Sequence, residues 1–142
     1  MAKGKKATNV VINSLQFGEL DIAKENIFTF SEGILGFEDL KQYVLINDDN
    51  TAPFKWLLSI DNPDIGFPII SPWLIDFEYI PGKDYDYSKI IPMVIVTIGG
   101  GANNMTANLK APILLNIDEL SGVQIIIPND KYSTNELINK IK

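Results

Sequence analysis

The chain contains no histidine, no cysteine and no arginine. Without histidine there is no imidazole to act as a general base near neutral pH, so Ser/His/Asp and Cys/His nucleophile arrangements are excluded. Zinc and other transition metals prefer imidazole or thiolate ligands, which leaves only hard, oxygen-binding cations within reach of this composition. No metal or cofactor is expected. No disulfide can form, so nothing argues for an oxidising compartment. The guanidinium fork that reads guanine edges or clamps phosphate is missing as well. The 22 isoleucines, 13 asparagines and 12 lysines that accompany these absences are what AT-rich codon usage produces.

Long hydrophobic runs are scarce. The longest, over residues 90–98, is about half the ~20 residues that a membrane-spanning helix needs. Val10, Val11 and Ile12 follow the N-terminal lysines and give way at once to Asn13 and Ser14, too short a run for a secretory signal. The expected location is the cytoplasm, with no membrane contact.

The charge present is mostly negative. Eighteen acids face 12 lysines, for a net charge of −6, and Lys3, Lys5 and Lys6 all lie in the first eight positions. The rest of the chain is therefore strongly acidic. Such a surface repels nucleic acid and anionic lipid and favours encounter with a basic protein.

A chain of 142 residues suits one domain. Residues 1–9 are small, polar and basic, and are expected to be disordered; residues 10–142 are expected to form the domain. There, short apolar or alternating runs are cut by Gly, Pro, Asn and Asp at intervals typical of an all-β barrel or sandwich. The runs place strands at 10–13, 18–22, 27–30, 43–47, 56–60, 67–71, 93–98, 106–109, 113–117 and 123–127, and β-branched residues dominate them. Residues 36–42 suit a short turn. Ser133 and Glu136 have capping-box spacing ahead of Leu137, Ile138 and Ile141, which predicts a short C-terminal helix. The fold class expected is thus a compact, single-domain antiparallel β-barrel ending in that helix.

Gly99, Gly100 and Gly101 follow a strong strand, but no Lys-Ser or Lys-Thr comes after them, so they read as a hairpin connection and not a phosphate cradle. The neighbouring acid pairs, such as Glu38 with Asp39 and Asp118 with Glu119, sit in turn-like segments where solvated carboxylates are normal, and no catalytic dyad is assigned. The segment 76–87 is more informative. Asp76, Glu78, Asp84 and Asp86 alternate with Phe77, Tyr79, Tyr85 and Tyr87, and rings beside acids suit lysine and arginine side chains of a partner. Trp56 is expected in the core. Trp73, beside Pro72, is a candidate interface anchor.

Two motifs carry a family resemblance. SEGILGFEDL spans residues 31–40 and MTANLKAPI spans 105–113. Around them, in order, come Phe17, Gly18 and Glu19; Pro53, Phe54 and Trp56; Asp61, Pro63 and Asp64; Asn116; and Lys131, Tyr132, Ser133 and Thr134. Over roughly residues 10–134 the chain resembles the flagellar assembly factor FliW family. Ser31 and Leu35 stand where that family commonly has proline, Ser71 where an acid often precedes the proline, and Asn135 and Glu136 where it often turns basic. The resemblance implies a non-enzymatic partner switch that binds flagellin before export and, when flagellin is depleted, binds the translational repressor CsrA and relieves repression. It implies neither cofactor nor direct nucleic-acid binding. Within MTANLKAPI, the polar Thr106, Asn108 and Lys110 precede Pro112, as in an edge strand that accepts an extended partner segment. The candidate partner-binding residues are therefore Trp73, Asp76, Glu78, Asp84, Asp86, Thr106, Asn108 and Lys110. The alternative from another class is a barrel that holds a small apolar ligand.

Overall fold

The computed structural model describes residues 9–82, 84–99 and 104–138. The strands are β1 (Asn9–Ser14), β2 (Gly18–Ala23), β3 (Ile27–Thr29), β4 (Gln42–Asn47), β5 (Lys55–Ser59), β6 (Gly66–Ile70), β7 (Ile90–Thr97), β8 (Thr106–Ala107), β9 (Ile113–Asn116), β10 (Ser121–Gln124) and β11 (Glu136–Leu137). Neighbours run β7-β6-β5-β4-β3-β10-β9, and β9 pairs back onto β7, closing a seven-stranded barrel. All pairings are antiparallel except β3 with β10, which run parallel at Thr29 and Ser121. β8 and β11 extend the sheet beyond the far half of β7, while β1 and β2 form a separate hairpin.

Side-chain alternation divides the apolar residues into inner and outer layers. Tyr43, Leu57, Ile69, Met93, Ile113 and Leu115 turn into the barrel, where they meet Phe28 and Phe30. Their even-numbered neighbours turn outward, but not to water. Val44 and Leu58 are covered by Ile12 and Ile22 of the hairpin. Ile70, Val94 and Val96 are covered by Tyr79, Leu109, Tyr132 and Ile138. Burial on both faces explains why these strands read as continuous apolar runs. Gly122 belongs to the inner packing, since a Cβ there would lie 2.2 Å from Cζ of the fully buried Phe30.

The motif at 31–40 closes one end of the barrel. Ile34 drops into the interior, Leu40 packs beside it, and the Phe37 ring leans on Phe67 at 5.1 Å with one edge in solvent. Gly33 makes the descent possible. Its φ is +70°, and a Cβ would stand 2.6 Å from the Glu38 Cα. The short turn expected at 36–42 is present, and Gln42 already opens β4.

Each predicted strand is present. Two expectations need correction. Trp56 lies outside the barrel, half-buried beneath the hairpin, edge-on to Phe17 and donating from Nε1 to Thr51 Oγ1. No C-terminal helix starts at Ser133. Its hydroxyl bonds to the backbone N–H and side chain of Asn135, and Glu136–Leu137 then pair with Ala107 and Thr106. The open side of β8 offers a ladder to this segment, and the ladder outcompetes the cap; Ile141 lies outside the described residues. The disordered tail expected at 1–9 also lies outside them, apart from Asn9, which opens β1.

Candidate partner-binding surface

Between β6 and β7 the chain leaves the barrel and crosses its outer face. Pro72 at the start of a 3-10 turn allows Leu74 N–H to reach Ser71 O, and Ile75 and Asp76 N–H to share Pro72 O. The Asp76 side chain then accepts from Glu78 N at 3.0 Å, and Asp76 O from Tyr79 N at 2.9 Å. These turns display Trp73, Leu74 and Phe77 to solvent, at 39%, 48% and 83% exposure. A phenylalanine this exposed beside a tryptophan and a leucine is an apolar patch that folding leaves uncovered. Asp76 and Glu78 flank it.

One buried side chain pins the loop. Tyr79, 3% exposed, donates its hydroxyl to Leu109 O at 2.6 Å and packs its ring, tilted, against Tyr132 at 4.5 Å, and its backbone carbonyl accepts the Trp73 indole N–H at 2.9 Å. Burial pushes the Tyr79 phenol well above its ordinary range, so it remains a donor. Tyr132 in turn accepts from Ile80 N at 2.8 Å. The strict alternation expected of 76–87 is thus broken: Tyr79 is structural, while Phe77 is displayed.

Asp84 and Asp86 lie in the second half of the loop, on either side of Tyr85. Asp84 lines a groove of about 590 Å³ whose walls include Ile80, Tyr85, Ile126 and Tyr132. Asp86 accepts from the Ser88 hydroxyl and backbone N–H, and these bonds hold its carboxyl below the usual carboxylate range. Among the described residues the only ion pair is Lys110 with Asp130 at 4.0 Å. None of Asp76, Glu78, Asp84 and Asp86 forms an ion pair with a described lysine, although the charge of Lys89 adds to the lowering of the Asp86 carboxyl.

Thr106, Asn108 and Lys110 are not on an open edge. β11 covers β8, with Ile138 N reaching Met105 O. Asn108 N donates to Ile95 O, the N–H groups of Leu109 and Lys110 to Ser133 O, and Lys110 O accepts from Ile127 N. The side chains are engaged too. Asn108 Oδ1 caps Ala111 N at 3.0 Å, and Lys110 Nζ donates to Asn129 O at 2.7 Å. MTANLKAPI is a junction where β7, the C-terminal segment and the Tyr79 loop are tied together. Its backbone groups are satisfied by segments distant in sequence, which local pattern could not reveal. The two halves of the predicted site are therefore linked through Tyr79 and Leu109, with the display in the loop and the support in the motif. Sequence reading missed Leu74 and Ile80 as exposed members, because the apolar run at 72–75 has no alternation to tell which side chains face solvent.

A family model described as FliW protein matches residues 11–138. The chain belongs to the FliW family. Among curated FliW relatives, the flagellar assembly factor FliW of Caldanaerobacter subterraneus subsp. tengcongensis is 42% identical over 131 residues, 85% of this chain and 87% of that one. That of Thermotoga sp. (strain RQ2) is 33% identical over 140 residues, 92% of this chain and 94% of the relative. The FliW barrel seen here also matches a crystal structure of the flagellar assembly factor FliW with a TM-score of 0.82 at 31% identity, covering 90% of this chain and 96% of that one.

Proposed function

We propose that this protein is a non-catalytic flagellar assembly factor of the cytoplasm that binds flagellin before export and binds the CsrA-type translational repressor when flagellin is scarce. Residues 10–142 act as one binding domain. The observation that carries this reading is the loop that exposes Trp73, Leu74 and Phe77, with Asp76 and Glu78 on either side of Phe77 and Asp84 and Asp86 further along. An aromatic anchor rimmed by carboxylates that form no described ion pair suits a partner with apolar and basic side chains, and an RNA-binding repressor must carry basic surface. Thr106, Asn108 and Lys110 contribute by holding the junction behind that loop.

The test is titration calorimetry of each partner against single charge reversals. Asp76→Lys and Glu78→Lys are expected to weaken repressor binding at least about tenfold, mostly through faster dissociation. Reversal of Asp49, on a different turn, is expected to change it less than about threefold. Equal effects at all three positions would remove the loop from the interface.

A further inference from the structure

The hairpin exposes two six-residue edges, and they differ. β2 carries Glu19 and Asp21, charges of the kind that keep an edge strand single. β1 reads Asn9-Val10-Val11-Ile12-Asn13-Ser14, with no charge and no proline, and its register against β2 is unbroken by any bulge. Among the described residues, no backbone group of β1 bonds outside the hairpin. In an antiparallel ladder alternate residues point their N–H and C=O groups away from the partner strand, so β1 presents a free row of donors and acceptors. On the outer face Val11 is 59% exposed, and Leu15 in the adjoining turn is more exposed still.

The sequence of this edge is complementary to itself. Residues 9–13 read Asn-Val-Val-Ile-Asn in one direction and Asn-Ile-Val-Val-Asn in the other. A two-fold axis through Val11, perpendicular to the sheet, sets Val11 against its counterpart, Val10 against Ile12, and Asn9 against Asn13. Directly opposed residues in an antiparallel pair share a face. The barrel-facing Val10 and Ile12 would then continue each other's apolar layer, Val11 would meet Val11 on the outside, and amide would meet amide at both ends. Shifting the register by one residue would set outward residues against inward ones, and centring the axis on Ile12 would oppose Val10 to Ser14. An isologous contact sets residue i against j and j against i, and the near-palindrome makes each such pair like with like. We propose that β1 is a homodimerisation edge, through which two copies of this chain join their hairpins into one four-stranded antiparallel sheet. The proposal is independent of the partner-switch reading.

Each copy carries a net charge of −6, so repulsion opposes the dimer while the pairing edge itself is neutral. Salt therefore strengthens self-association, the opposite of its effect on an acidic surface gripping a basic partner. The decisive experiment exploits the cysteine-free chain. Val11→Cys supplies a single thiol that opposes itself across the axis, with Cβ atoms about 4.5–5.5 Å apart, close to disulfide reach. Under mild oxidation it is expected to form covalent dimers at least about tenfold faster than Asp21→Cys, which lies on the same face one strand away. Sedimentation equilibrium of the unmodified chain is expected to show a dimer by about 300 µM, with dissociation weakened about threefold or more between roughly 50 mM and 500 mM salt. Val11→Lys is expected to shift dissociation at least about tenfold the other way. A chain that stays monomeric under these conditions, or Val11→Cys that cross-links no faster than Asp21→Cys, would overturn the proposal.

Discussion

Replacing Tyr79 with phenylalanine isolates one hydrogen bond at the point where the displayed loop joins the barrel. The ring stays, with its packing on Tyr132 and its place among Ile70, Val94 and Leu109. What is lost is the 2.6 Å bond to Leu109 O. Leu109 is 2% exposed, so its carbonyl has no ready access to water. A buried acceptor left without a donor costs about 1–3 kcal/mol, and for a domain of this size each kcal/mol lowers the midpoint by about 3–4 °C, giving a fall of about 3–12 °C. Circular dichroism during heating, with urea unfolding to confirm an unchanged m-value, measures this. Tyr85→Phe, at a half-exposed ring, serves as the control and is expected to change stability by less than about 0.5 kcal/mol. Because the Tyr79 carbonyl also holds the Trp73 indole, partner affinity is expected to fall by more than the control's. A Tyr79→Phe variant as stable as Tyr85→Phe would refute the claim that this hydroxyl locks loop to junction.

The remaining predictions concern the core, pH and the exposed anchor. Gly122→Ala drives a methyl group into the Phe30 ring, and by overpacking is expected to cost at least about 1–3 kcal/mol in urea unfolding, with Phe30→Leu partly rescuing it. Burial, reinforced by Asp61, pushes the Tyr43 phenol up to about 12. The native state therefore holds that proton more tightly than the unfolded chain, whose tyrosines ionise near 10. Stability contributed by the neutral phenol is complete below about pH 10 and is lost as pH rises towards 12, a decline that Tyr43→Phe is expected to flatten in pH-dependent urea unfolding. Trp73→Ala is expected to weaken partner binding by about 2 kcal/mol or more in calorimetry while lowering the melting midpoint only slightly, since the indole is part-exposed.

The barrel was legible because its physics is local. Strands buried on both faces must be apolar and β-branched throughout, and the turns between them must hold Gly, Pro, Asn or Asp, so ten strands could be placed from the pattern alone. Closure was not legible. The pairing of β7 with β9 and the parallel contact of β3 with β10 join segments far apart in sequence, and nothing in either partner names the other. The same limit explains the junction. Thr106, Asn108 and Lys110 look like an open edge when read with their neighbours, whereas Ser133, Ile127 and Ile138 fill that edge from elsewhere. At the C-terminus the capping-box spacing was real, but Ser133 found Asn135 first. In the displayed loop, Pro72 beside Trp73 marked a turn with an aromatic on it, and acids at 76 and 78 marked its polarity. Which ring turned inward depended on a carbonyl 30 residues away.

The central claim is that one acidic surface serves two partners in turn, and competition tests it most directly. The chain is titrated calorimetrically with the CsrA-type repressor of its own organism, first alone and then with flagellin already bound. Binding that flagellin abolishes or weakens at least about tenfold is the predicted result. Repressor binding that is unchanged by saturating flagellin would contradict the switch.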